Sequence, residues 1–141
     1  MDEASCPICS RPDRRPLGVV AELTASWVTA EPEAALPGYA CVVAKKHVVE
    51  PYDLSRAEGQ AFWEDCMLAA RVLAGLFEPT KMNYEVHGNT VPHLHMHLYP
   101  RFENDPYQGG PISGSARFIR TPDEIARIGQ AITSARSEVA Q

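Results

Sequence analysis

Three imidazoles on alternate positions, His93, His95 and His97, fall within the five-residue run His93-Leu94-His95-Met96-His97. On an extended strand this period turns all three, with Tyr99, to one face, and Leu94, Met96 and Leu98 to the other. The apolar positions anchor the strand and hold the imidazoles at fixed spacing. Each ring needs partners for two nitrogens, so the run is costly as a plain core feature. Three readings fit it. One is a solvated polar face. Another is a catalytic metal site, since neutral imidazole is a common zinc or iron ligand, although no Asp or Glu lies within the run. The third is nucleophilic attack at phosphorus. There an imidazole nitrogen displaces pyrophosphate, an amine or an acyl phosphate from an α-phosphate, and water then cleaves the nucleotidyl-histidine. That chemistry also needs donors on the non-bridging oxygens and a group to protonate the departing atom.

A second constellation is Cys6-Pro7-Ile8-Cys9, whose spacing suits zinc. A redox pair would call for a thioredoxin-like βαβ context, which the sequence lacks. Free thiols near a frayed terminus are the remaining reading. Cys41 and Cys66 lie in apolar patterns and read as buried thiols. His87 sits in a turn before the histidine run, where it either faces solvent or protonates a leaving group.

The elements that must position these groups follow from periodicity. One or two strands are expected from about Leu17 to Trp27, and a loop from Glu31 to Gly38 ends in a Pro37-Gly38 turn. Tyr39 to Ala44 suits a central strand. Ser55 and Glu58 form a capping box with Leu54 before it. Phe62, Cys66, Ala69, Leu73 and Leu76 then share one helical face until Pro79. Met82, Tyr84 and Val86 alternate with Asn83 and Glu85 on a strand, His87 to Thr90 turns, and a second strand runs from about Pro92 to Tyr99. Pro100 to Ser115 reads as a mobile loop. A last helix starts at Thr121 with Pro122 and Glu124 in its first turn. The sum is one α+β domain over residues 1–141 with a mainly antiparallel sheet and a middle and a C-terminal helix.

Composition narrows the rest. A chain of 141 residues buries roughly 70% of its unfolded surface and needs no disulfides. A formal charge of −5, with basic residues gathered only at Arg11 to Arg15 and Lys45-Lys46, argues against a nucleic-acid surface. No apolar run approaches a membrane span, and Met1 to Cys6 lacks the character of a signal peptide, so a cytoplasmic protein with reduced thiols is expected.

The run His93-Leu94-His95-Met96-His97-Leu98-Tyr99 resembles the signature of the histidine triad family. Pro37-Gly38, the strand ending in Ala44-Lys45-Lys46-His47, Asn83, and Asn89-Thr90 before Val91 stand in the family's order. With Cys6-x-x-Cys9 and the Ser55 helix, the likeness spans roughly residues 5 to 105. It implies a nucleotidyl hydrolase or transferase with a five-stranded sheet. His95 would be the nucleophile and His97 a donor to an α-phosphate oxygen, with His93 the third member of the catalytic run. Asn83, Asn89 and Thr90 would hold phosphate or leaving group. Glu31 stands where the family carries a ribose-binding Asp, and Trp27 or Val28 would line a pocket for adenine. The zinc-containing subset of the family implies a structural Cys2His2 zinc held by Cys6, Cys9, His47 and His93, with residues 1–16 as the zinc-binding segment. It also implies a homodimer formed through the middle helix and a sheet edge, for which Trp63 and Phe77 are spare apolar material.

Overall fold

The computed structural model describes residues 2–113 and 117–140. In chain order its elements are β1 (Val19–Glu22), β2 (Ser26–Thr29), β3 (Glu33–Ala34), β4 (Ala40–Ala44), α1 (Arg56–Phe77), β5 (Lys81–Glu85), β6 (His95–Arg101), β7 (Phe118–Ile119) and α2 (Pro122–Ala140). The fold is α+β. Five strands form an antiparallel sheet in the order β1-β2-β4-β6-β5.

β4 lies at the centre, and all five of its residues are buried because both faces of the sheet are covered there. Ala40, Val42 and Ala44 point to the helical layer with Leu94, Met96 and Leu98. They meet Phe62, Cys66, Ala69 and Leu73 from the apolar face expected for α1, with Ala70 beside them. Leu76 packs at its margin. The Ser55–Glu58 capping box is formed in both directions, through Ser55 N–H to Glu58 Oε1 (2.7 Å) and Glu58 N–H to Ser55 Oγ (3.1 Å). Glu78, at φ 50°, ends the helix before Pro79. α2 lies against β1 and α1. At Gly129 a Cβ would come 2.5 Å from the Val20 carbonyl oxygen, so glycine permits that close approach.

Several boundaries differ from the sequence reading. The strand carrying the histidines begins at His95 rather than Pro92, so His93 precedes it. Its far end reaches Arg101, inside the segment expected to be a loop. The next residues form a compact knot around Arg101, which donates to Asp105 Oδ2 (2.8 Å), to the Tyr107 carbonyl (2.7 Å) and to the Gly110 carbonyl (2.7 Å). The guanidinium beside Asp105 holds that carboxyl down at about 2. The close of the expected 100–115 loop, residues 114 and 115, lies outside the described residues. Glu33–Ala34, expected in a loop, pairs with Phe118–Ile119 as a small second sheet. Tyr84 and Val86 are exposed, on the edge strand and just beyond it. No helix among the described residues is long and apolar enough to cross a membrane.

Candidate functional site

The face of the sheet away from the helices carries His95, His97 and Tyr99. Register places Val43 opposite His95 and Cys41 opposite His97 on one side. On the other side Glu85 stands opposite His97 and Asn83 opposite Tyr99. The rings of His95 and His97 meet edge to face, with centroids 4.8 Å apart.

The two histidines that follow one another in this run are held by different backbone carbonyls. His95 Nδ1 lies 2.6 Å from the His93 carbonyl oxygen. A carbonyl only accepts, so Nδ1 carries the proton and Nε2 keeps a free lone pair. His93 does the reverse. Its Nε2 donates to the Ala44 carbonyl (2.7 Å), leaving Nδ1 bare, and the ring is 1% exposed.

That bare nitrogen faces Cys6 Sγ at 3.5 Å, Cys9 Sγ at 3.6 Å and His47 Nδ1 at 3.2 Å. Cys9 Sγ lies 3.5 Å from His47 Nδ1. All four ligand atoms fall within 4.8 Å of one another. Tetrahedral bonds of about 2.3 Å to sulfur and about 2.0 Å to nitrogen separate ligand atoms by roughly 3.3 to 3.8 Å. The observed separations match. The Cys9 N–H also points at Cys6 Sγ (3.5 Å), as expected for a turn built around sulfur ligands. Two thiols and two imidazole nitrogens converging at these separations form a donor set that suits zinc. Among the described residues this is the one such cluster, and it takes only His93 from the histidine run.

The N-terminal segment also walls a cleft beside His95. Pro7, Ile8, Pro16, Leu17, Val43 and Val91 line it with Arg11 and His95, enclosing about 230 Å³. It is an apolar slot with the His95 ring at its side. The space suits a flat ring rather than a whole dinucleotide. Glu31 is exposed, and its side chain lies against Gly18, next to Leu17 of the slot. Its main-chain oxygen accepts from Arg120 (2.6 Å). Val28 is wholly buried in the helical layer and cannot line a pocket. Trp27 shares the active face but lies between Arg15 (4.4 Å) and Lys45 (4.7 Å), its ring covered by two cations.

His97 has a partner that the sequence reading did not single out. Tyr39 Oη lies 2.6 Å from His97 Nδ1, and its ring stacks on Tyr99 with centroids 4.6 Å apart. Gly38 makes that placement possible. Its φ is +81°, and a Cβ there would meet Phe77 at 2.8 Å and Pro100 at 2.9 Å. Burial, then the neighbouring His95 and His87, pull His97 down to about 4, so the ring is neutral at ordinary pH. Burial pushes the Tyr39 phenol up, so it stays protonated. Cys41 is a buried thiol raised to about 12, as its apolar context suggested.

Asn83 is engaged elsewhere. Its Oδ1 accepts from Arg101 Nη1 (2.8 Å), one pair beyond the triad. Asn89 and Thr90 are exposed on the segment leading from β5 to β6. His87 is exposed, yet its Nε2 pairs with Glu85 Oε1 at 2.9 Å and its ring lies 5.7 Å from that of His97. It is therefore a neighbour of the triad as well as a solvent-facing residue.

The family model for the HIT domain matches residues 15–104. The chain belongs to the histidine triad family. Solved histidine triad structures share the fold. One from Sinorhizobium meliloti is 20% identical, with 95% of this chain and 99% of that one covered at a TM-score of 0.76. A zinc-bound family protein from Mycobacterium smegmatis is 21% identical, covering 99% and 98% at 0.66. A diadenosine triphosphate hydrolase from Plasmodium falciparum, solved with cyclomarin A, is 21% identical, covering 86% and 76% at 0.60. A search of curated proteins finds no match.

Proposed function

We propose that this histidine triad protein cleaves or transfers at the α-phosphate of a nucleotide through a nucleotidyl-His95 intermediate. The observation that carries the reading is the 2.6 Å bond from His95 Nδ1 to the His93 carbonyl, which leaves Nε2 as a neutral nucleophile beside an apolar slot. The slot would take the base, with Glu31 near enough to accept from ribose hydroxyls.

His95 Nε2 forms a bond to phosphorus as the bond to the leaving group breaks, its electron pair departing with that group. The Tyr39 hydroxyl donates to His97 Nδ1, which leaves His97 Nε2–H to donate to a non-bridging oxygen. Asn89 and Thr90 offer further donors from their loop. Asn83 gives its Oδ1 to Arg101 and keeps its amide NH2 to donate to the leaving group.

Cys6, Cys9, His47 and His93 would hold a structural zinc. Held there, it would tie the N-terminal segment to the strand through His93, whose carbonyl orients His95. Every protein ligand position is then filled, which suits structure rather than catalysis. The free thiols suit a reducing compartment such as the cytoplasm. Exposed Tyr84 and Val86 at the β5 edge support a homodimer built on that side, whereas exposed Trp63 on α1 lies beside Leu23, Thr24 and Val139.

The test is AMP release from diadenosine tetraphosphate and adenosine 5′-phosphoramidate. Wild type should release AMP from at least one, and His95→Ala should lose that activity while keeping its metal. Equal release by both proteins would refute the nucleophile.

A further inference from the structure

Among the side chains that wall the slot beside His95, Arg11 is the one polar group other than His95 itself. Local hydrogen bonds hold it from three directions. Its N–H donates to the Ile8 carbonyl (3.2 Å), and its own carbonyl accepts from the Arg14 N–H (3.0 Å). Its Nε donates to the Arg15 carbonyl (2.8 Å). Arg15 directly precedes Pro16, a residue of the slot wall, so that last bond sets the guanidinium at the Pro16 end of the slot. Asp13 stands 3.6 Å from the same Nε, and both side chains touch water, so this ion pair is weak. Nη1 and Nη2 have no hydrogen-bond partner among the described residues. A fork of two donors on a fixed stem therefore borders an apolar slot that suits a flat ring. Arg11 also stands two residues beyond Cys9, so the turn that gathers the thiols presents the fork.

A guanidinium donates and cannot accept. The edges of the purines differ in this respect. Guanine and hypoxanthine offer O6 and N7 side by side, two acceptors that match the fork. Adenine offers N7 beside its N6 amino group, which would set donor against donor. No carboxylate lines the slot to take a hydrogen bond from that amino group. Resting on the reading that the slot takes the base, we propose that Arg11 is a specificity-determining residue and selects 6-oxopurine nucleotides over adenine nucleotides. Nη1 and Nη2 donate to O6 and N7, and the ring packs among Ile8, Leu17 and Val43. The 2-amino group of guanine has no part in the selection, so hypoxanthine is accepted equally.

The test reads binding and turnover separately. His95→Ala protein titrated calorimetrically should bind GMP and IMP alike, each at least about tenfold more tightly than AMP. 7-Deaza-GMP, which keeps O6 and loses N7, should bind at least about threefold more weakly than GMP. Equal binding of GMP and 7-deaza-GMP would overturn the two-point contact without any change to the protein. Arg11→Met keeps the length of the stem and removes the fork, and it should bring GMP, IMP and AMP within about twofold of one another. Equal affinity for the three before Arg11 is changed overturns the proposal. An equal loss on all three when Arg11 is changed also overturns it, because Arg11 would then serve the phosphate. Binding of none of them overturns the slot as a base site and the selection with it. In turnover, wild type should favour guanosine over adenosine 5′-phosphoramidate by at least about tenfold in kcat/KM. Equal rates would overturn the selection and leave the His95 chemistry standing. Release from neither compound, with GMP still preferred in binding, would overturn the chemistry and leave the selection.

Discussion

Two regions of this molecule use the same residue type, two positions apart, for opposite ends. His93 and His95 each spend one ring nitrogen on a backbone carbonyl, but not the same nitrogen. His93 commits Nε2 and turns Nδ1 into a buried nest of two thiols and a second imidazole. His95 commits Nδ1 and turns Nε2 toward an open slot. One side is closed and mutually saturated; the other keeps lone pairs and room. A histidine's chemistry is set here by which carbonyl it meets, not by membership of a motif.

The sharpest way to break the comparison is to remove one histidine at a time. His95→Ala should lower turnover by roughly 10⁴-fold or more with metal content and melting temperature little changed, because only a nucleophile is lost. Cys9→Ser should do the reverse in the first instance. It should strip zinc, measured by elemental analysis, and cost several kcal/mol of stability, with activity falling only as the N-terminal wall loosens. Identical profiles for the two variants would erase the distinction between the regions.

A smaller effect tests how the cleft side is held. Tyr39→Phe keeps the stack on Tyr99 and removes the hydroxyl 2.6 Å from His97 Nδ1. Tyr39 is a positioning residue, so kcat should fall roughly tenfold to a hundredfold with KM nearly constant. The ¹⁵N spectrum of His97 should show mixed tautomers in place of one. An unchanged spectrum would mean that Tyr39 does not orient the ring.

The smallest effect is on stability against pH. His97 is pulled from 6.5 to about 4 by burial and by His95 and His87, against an opposing pull from Glu85. The buried phenols Tyr39 and Tyr99 also face it and stay uncharged. Above pH 6.5 His97 is neutral folded and unfolded, and it has no effect. As pH falls toward 4 the unfolded chain takes the proton first, so stability drops by up to about 3 kcal/mol. His97→Phe should flatten the denaturation midpoint over that window, and an equally steep loss would assign the slope to other groups.

Much of this was legible in the residues. The capping box at Ser55, the apolar face of α1 and the alternation through β6 depend on neighbours in sequence, and the structure carries each of them. So did the pairing of Cys6 and Cys9 with two distant histidines, although their convergence came through the family likeness rather than the residues themselves. What was not legible depends on register and long-range packing. Alternation puts Asn83 and Glu85 on one face, but only the pairing of β5 with β6 decides which of them meets His97. The Arg101 knot and the two-residue strands β3 and β7 join segments too short or too far apart for a periodic signal. Tyr39 was read as a strand residue because nothing local marks the imidazole it reaches.

The most direct test of the central claim is to trap the covalent intermediate. Wild-type protein mixed with an adenosine 5′-phosphoramidate and quenched in alkali, where a phosphorus–imidazole bond survives, should yield an adenylylated peptide. Fragmentation should place the modification on His95, and His95→Ala should give none. Adenylylation of another residue, or full turnover by His95→Ala, would contradict the account.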